Sequence, residues 1–115
     1  MTGIELIAAE RQRQIEAEQW VPSHDDDHAD NELIRAAQCY TWAARQTSIG
    51  SVNERMPMDS PLQPYIDMGS PDWRVPRWPW EAAWWKPNGD PIRNLEKAGA
   101  LIAAEIDRLQ RASND

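Results

Sequence analysis

Proline placement is the strongest constraint on how this chain of 115 residues can fold. Seven of the nine prolines fall within residues 47–90, where they exclude a long helix and a central β-strand. Because a structureless loop of this length is uncommon in a compact domain, we expect an ordered but irregular segment held by its side chains. Regular structure is therefore predicted on either side of it.

Both flanks carry the signals of α-helices. Residues 3–19 consist of strong helix formers. A second helix is predicted over residues 24–46, because Ser23 and Asp26 have the spacing of a capping box. A third is predicted over residues 91–111, with Asp90 as N-cap and a proline in the first helical position. The prediction is a single, mainly α domain over residues 1–115, a three-helix bundle with a Trp/Pro-rich irregular excursion between helices 2 and 3.

Each predicted helix has an apolar stripe that we expect to be buried. The stripes consist of Ile4, Ile7, Ala8, Arg11 and Ile15 in the first helix, of Leu33, Ala36, Ala37, Tyr40 and Ala44 in the second, and of Leu95, Ala98, Ile102, Ile106 and Leu109 in the third. The alanine-rich faces allow close helix–helix approach, and together with the small core they are compatible with a homodimer.

Residues 73–87 hold five of the seven tryptophans, and the chain has no phenylalanine. This Trp-rich segment also contains Arg74, Arg77 and Lys86. An indole can pack in a core, or it can stack on a planar ligand while a nearby cation pairs with phosphate. The segment is therefore expected to supply both structural contacts and a ligand site.

Charge is distributed unevenly along the chain. Residues 1–32 carry nine acids and two bases, whereas residues 33–115 carry ten of each. The acidic balance disfavours binding to duplex nucleic acid, but it allows a small anion to be held by a few cations. The single Cys39 and the lack of a long apolar run or signal peptide predict a soluble protein of the cytoplasm, without a membrane partner.

Three residues near the start of the predicted second helix have a spacing that could bind a divalent metal ion. His24, His28 and Glu32 have i, i+4, i+8 spacing and would share a face of one helix. The arrangement lacks the HExxH pattern, so we favour helix-dipole stabilisation by the neighbouring acids and expect no metal or other cofactor. Asp27-x-x-Asp30 and Glu105-x-Asp107 fit poorly to the carboxylate pairs of helical nucleotide pyrophosphohydrolases, which leaves such an enzyme as an alternative.

Several motifs together resemble a family of small proteins encoded by temperate phages and prophages. They are Ala9-Glu-Arg-Gln-Arg-Gln, His24-Asp-Asp-x-His28, Trp78-Pro-Trp80 with Trp84-Trp85-Lys-Pro87, and Lys97-Ala-Gly-Ala-Leu-Ile-Ala-Ala-Glu-Ile-Asp-Arg-Leu109. The resemblance covers both ends and the Trp-rich segment but not residues 45–72, and it implies a phage accessory protein acting in the cytoplasm of a bacterial host. The family form has glycine where this chain has Gln19.

The favoured function is a non-enzymatic binding protein that helps a phage against host defence by sequestering a small nucleotide immune signal. The predicted ligand-binding residues are Arg74, Arg77, Trp78, Trp80, Trp84, Trp85, Lys86 and Arg93. The alternative is a protein inhibitor that docks on a host defence protein through its acidic face. No activated nucleophile or acid–base pair is evident, so turnover is not expected.

Overall fold

The computed structural model describes residues 1–20, 25, 27, 30–48 and 78–113. These residues form three α-helices, α1 over Gly3–Ala17, α2 over Glu32–Ser48 and α3 over Pro91–Ser113, with one short 3₁₀ turn at Ala82–Trp84. The predicted mainly α fold with three helices is confirmed.

Helix α1 begins at a capping box and ends at a left-handed residue. The Thr2 hydroxyl accepts a hydrogen bond from the Glu5 N–H at 3.2 Å, and the Glu5 carboxylate accepts one from the Thr2 N–H at 2.9 Å. Gln19 then adopts a φ of 60°, and the Trp20 N–H donates to the Gln14 carbonyl at 3.0 Å. A residue with a Cβ atom is strained in the left-handed backbone conformation, so glycine is favoured at the position that Gln19 occupies.

Helix α2 begins later than predicted. Asn31 has a φ of 69°, which is incompatible with a continuous α-helix, so α2 starts at Glu32 and is not continuous with Asp25, which is itself helical. The predicted cap at Ser23 and Asp26 lies outside the described residues. The prediction of one helix over 24–46 was wrong because asparagine tolerates the left-handed conformation that interrupts the chain here.

Helix α3 begins as predicted. The Asp90 carboxylate accepts a hydrogen bond from the Ile92 N–H at 2.9 Å, so Asp90 is the N-cap that stabilises the helix start. Behind this cap, the side chain of Asn94 is fully buried, donates to the Asn88 carbonyl at 2.7 Å and accepts from the Asn88 N–H at 2.8 Å. These bonds fix the residue that directly follows the Trp-rich segment to α3.

The core lies between α2 and α3, and α1 packs on α3. The predicted α2 stripe is buried, and the described indoles of Trp78 and Trp85 complete the same cluster. On α3 the core residues are Leu101 and the two alanines Ala98 and Ala104. Alanines here bring the helix backbones close together, so large side chains are displaced to other faces.

The predicted stripes of α1 and α3 are largely wrong as core faces. In α3, Ala98 is buried but Leu95, Ile102, Ile106 and Leu109 are all exposed. In α1, Ile4 is exposed, whereas the buried positions are Glu10 and Gln14. Helix α1 therefore presents a polar edge to the interior, and the chemistry of that edge defines the candidate site.

Candidate functional site

A cleft of about 30 Å³ lies where α1, α2 and α3 meet the Trp-rich segment. This volume holds one or two waters. The cleft has a polar floor from α1, an aromatic wall and a mouth with two lysines. Its lining consists of Glu10, Arg13, Gln14, Glu18, Trp20, Tyr40, Trp78, Trp80, Trp84, Lys86, Lys97 and Leu101.

The floor is built around the carboxylate of Glu10, a residue that is 3% exposed. One Glu10 oxygen accepts hydrogen bonds from Arg13 Nε at 2.8 Å and lies 2.7 Å from Arg93 Nη1. The other accepts from Arg13 Nη2 at 2.9 Å and from Gln14 Nε2 at 3.1 Å. Arg13 also reaches Glu18 at 3.1 Å. Both Glu10 oxygens are thus fully paired, as a buried carboxylate requires.

These partners determine the charge state of Glu10. Burial by itself would raise the pKa of its carboxyl, but the hydrogen bonds and positive charges of Arg13 and Arg93 outweigh burial and lower the pKa below 4.5. Glu10 is therefore ionised at neutral pH, and its charge is neutralised locally by two guanidinium groups.

Gln14 leaves one acceptor of the floor without a partner. The residue is 2% exposed, and its amide nitrogen is committed to Glu10. Its Oε1 atom is buried and makes no hydrogen bond with the residues that the structure describes. A buried acceptor of this kind is costly unless something donates to it, so a water or a ligand donor entering the cleft would be stabilised there.

The aromatic wall is tightly packed. The ring centroid of Trp78 lies 5.7 Å from that of Tyr40, 5.3 Å from Trp80 and 4.9 Å from Trp85. Trp78 Nε1 donates to the Glu81 carbonyl at 3.0 Å, and Tyr40 accepts from the Lys86 N–H at 3.3 Å. These edge-on and tilted contacts pack the described part of the segment, from Trp78 onward, against Tyr40 of α2, and such packing limits the entropy that ligand binding would cost.

The mouth combines an exposed indole with two ammonium groups. Trp84 is 52% exposed, and Lys86 Nζ lies 5.8 Å from the centre of its ring. Lys97 Nζ donates to the Lys86 carbonyl at 2.7 Å and lies 5.5 Å from the centre of the Tyr40 ring. Within the part of the chain that the structure describes, neither lysine forms an ion pair with a carboxylate.

Burial shifts the ionisation of two groups beside the mouth. It lowers the pKa of Lys97, an effect that the positive charge of Arg93 reinforces. Burial also raises the pKa of Tyr40 to about 12. An anion bound at the mouth would favour the charged form of Lys97 and oppose this desolvation.

The predicted ligand residues separate into three groups. Trp80, Trp84 and Lys86 lie in the cleft lining, as does the largely buried Trp78. Trp85 is packed in the core beside Tyr40 and is absent from the lining of this cleft, and Arg93 is committed to Glu10. Arg74 and Arg77 lie outside the described residues.

The predicted metal candidates do not form a described cluster. His24 and His28 lie outside the described residues, and the helix that was expected to align them with Glu32 is interrupted at Asn31. Glu32 accepts a hydrogen bond from the Asp30 N–H at 2.6 Å. Among residues 1–20, 25, 27, 30–48 and 78–113, no three His, Cys, Asp or Glu side chains group together as metal ligands.

Sequence reasoning missed the residues of the floor. Glu10, Arg13 and Gln14 have i, i+3, i+4 spacing, which places them on one helical face. That spacing was the available signal, but the isoleucines of α1 form a more apolar stripe and directed the prediction to another face. Lys97 was missed because its partners lie far from it in sequence.

Comparison with family models, curated proteins and solved structures gives no match to this chain. In the described part of the chain, none of the helices has the length and apolar character needed to cross a membrane.

Proposed function

We propose that this chain is a non-enzymatic binding protein that holds a small planar anion of the nucleotide class at the mouth of the cleft. In this proposal the base stacks on Trp84 and the phosphate lies near Lys86 and Lys97. The observation that carries the proposal is the combination of a half-exposed indole with two lysines that form no ion pair with a described carboxylate.

Electrostatics favour an anion at this position. The acidic groups of the floor are already balanced, since Glu10 binds Arg13 and Arg93 and Glu18 binds Arg13. The positive charge of the two lysines therefore remains at the mouth. A ligand phosphate would be attracted there, although the whole acidic surplus of the chain lies in residues 1–32.

The size of the cleft limits how the ligand binds. Sites that enclose a small molecule have volumes of roughly 300–1,000 Å³. A cleft of about 30 Å³ cannot enclose a base, so the base would lie against the exposed face of Trp84 outside it. One donor group or a bridging water could enter and satisfy the Oε1 atom of Gln14.

Ionisation supports binding rather than turnover. A general acid or base works best with a pKa near the working pH. The pKa of Glu10 is lowered by its arginines, and that of Tyr40 is raised to about 12. Cys39 is buried, and burial raises the pKa of its thiol to about 12, which makes it a poor nucleophile.

The resemblance to phage and prophage proteins supplies a biological setting for such binding. A bacterial host that signals infection with a nucleotide would be impaired by a protein that retains this signal without cleaving it. We therefore propose capture of a nucleotide immune signal as the role of the site in the cytoplasm of the host.

The test is calorimetric titration of the purified protein with adenosine 5′-monophosphate and a cyclic dinucleotide as probes. Trp84→Ala and Lys86→Ala change exposed residues, so folding should persist while affinity falls about 5- to 150-fold, as expected for about 1–3 kcal/mol. Arg45→Ala removes one positive charge from an exposed position on α2 and serves as the matched control.

Native mass spectrometry of protein purified from infected cells tests the same proposal without choosing a probe. A retained nucleotide should be released intact on denaturation. A cleaved product would contradict the binding role, and equal affinity in wild type, Trp84→Ala and Lys86→Ala would remove the site. Retention of a host protein instead would favour the docking inhibitor.

A further inference from the structure

An apolar stripe runs along the exposed side of α3. Its members are large aliphatic residues that are 40–57% exposed, namely Ile92, Leu95, Ile102, Ile106 and Leu109. They cover residues 92–109 of the longest helix, which packs on both α2 and α1. None of these five side chains belongs to the buried core cluster of the described residues or to the lining of the cleft.

The stripe has the spacing of a coiled-coil seam. Its positions alternate by three and four residues if Gly99 is included between Leu95 and Ile102. Gly99 carries no side chain, but Ile7 of α1 fills its place, since a Cβ atom on Gly99 would lie 2.6 Å from Ile7 Cδ1. Ile4, one turn earlier on α1, is 83% exposed and enlarges the apolar surface.

We propose that this stripe is the interface of a symmetric homodimer in which α3 of one copy packs against α3 of a second copy. A ridge that repeats every 3.5 residues is complementary to another helix with the same repeat. A second copy supplies an identical helix, and two-fold symmetry pairs the stripe with itself.

The exposed area fits this partner. The five side chains of α3 expose roughly 500 Å² on each copy, so two copies would bury roughly 1,000 Å² before Ile4 and flanking atoms are included. That total reaches the lower threshold of about 1,000 Å² for a specific protein–protein interface, and Ile4 and the flanking atoms would add to it. The same area on a monomer would be at the upper limit of the apolar patches that soluble proteins tolerate.

The sequence of residues 49–77 argues against this segment as the occupant. It contains five prolines, and its longest proline-free run is eight residues, whereas the stripe spans eighteen. A helix long enough to match the seam would need about eighteen residues without an internal proline. The second copy meets this requirement.

The proposal is tested by analytical ultracentrifugation of the full chain between about 1 µM and 100 µM. We expect the wild type to approach twice the monomer mass of 13.2 kDa as concentration rises. Ile102→Lys/Ile106→Lys should remain monomeric or weaken dimerisation at least tenfold, because it places charges in the seam. Both residues are exposed in the monomer, so circular dichroism should show that its helices persist.

The matched control is Gln12→Lys/Gln38→Lys, which adds the same charge at exposed positions of α1 and α2. It should dimerise like the wild type. A wild type that stays at 13.2 kDa at every concentration would overturn the proposal, as would an unaltered dimer in the seam variant. A third outcome would be a monomeric wild type together with a seam variant that unfolds at a much lower temperature. It would mean that the stripe packs against another part of the same chain, and it would also overturn the proposal.

Discussion

The contact between Gly99 and Ile7 allows a prediction in which the sign of a stability change reverses. Gly99 lies in the middle of α3, where replacement of glycine by alanine normally stabilises a helix by about 1 kcal/mol. In this protein the added Cβ atom would lie 2.6 Å from Ile7 Cδ1, 2.7 Å from Cγ1 and 3.2 Å from Cγ2. The gain in helix propensity therefore opposes a steric clash.

In the wild-type background, the steric cost of the added Cβ atom should exceed the gain in helix propensity. Inserting one carbon into a packed contact costs about 1–3 kcal/mol, so Gly99→Ala should lower the free energy of unfolding by about 1 kcal/mol after the propensity gain. Ile7→Ala removes all three clashing atoms. In that background Gly99→Ala should raise the free energy of unfolding by about 1 kcal/mol, which gives a coupling energy of about 2 kcal/mol.

The measurement is urea unfolding of wild type, both single variants and the double variant, followed by far-UV circular dichroism at one protein concentration. Gly3→Ala is the control, because nothing lies within 4 Å of a Cβ atom built there. If Gly99→Ala changes stability equally in both backgrounds, Ile7 does not pack on Gly99 and the position of α1 on α3 is refuted.

Three further changes test the core, the buried ion pairs and the end of α1. Ala98→Asp should abolish the cooperative thermal transition, because an unpaired charge at this buried position costs several kcal/mol; a transition at the wild-type temperature would contradict the core assignment. The lowered pKa of Glu10 contributes stability above about pH 4.5 that is lost as pH falls, so Glu10→Gln should flatten the acid limb of a stability–pH curve; an unchanged acid limb would show that Arg13 and Arg93 do not hold this carboxylate ionised. Gln19→Gly should raise the free energy of unfolding by about 1 kcal/mol, because φ there is 60°; a loss of stability in urea titration would mean that the turn does not strain its side chain.

The fold class could be predicted because its signals are local. Helix formers, the Asp90 cap and the clustered prolines each act within a few residues, so they place helices without reference to the rest of the chain. The break at Asn31 could not be predicted from residue type, because asparagine is compatible with both a helix and a left-handed turn.

The choice of buried face depended on tertiary contacts. Periodicity identifies an apolar stripe but not its partner, and α3 has a small-residue face and a large aliphatic face. The alanine face packs on α2 because small side chains permit close backbone approach, and this leaves Ile102 and Ile106 outside. On α1, the same packing directs Glu10 and Gln14 inward.

For the candidate site, the order of residue types along the chain predicts that indoles and cations interleave near residues 78–86. Which of these side chains remain available depends on the packing of the helices around them. Trp85 is buried beside Tyr40 and Arg93 is neutralised by Glu10, whereas Trp84 and Lys86 stay at the mouth. Availability is set by contacts between residues far apart in the chain, which no local pattern of residue types encodes.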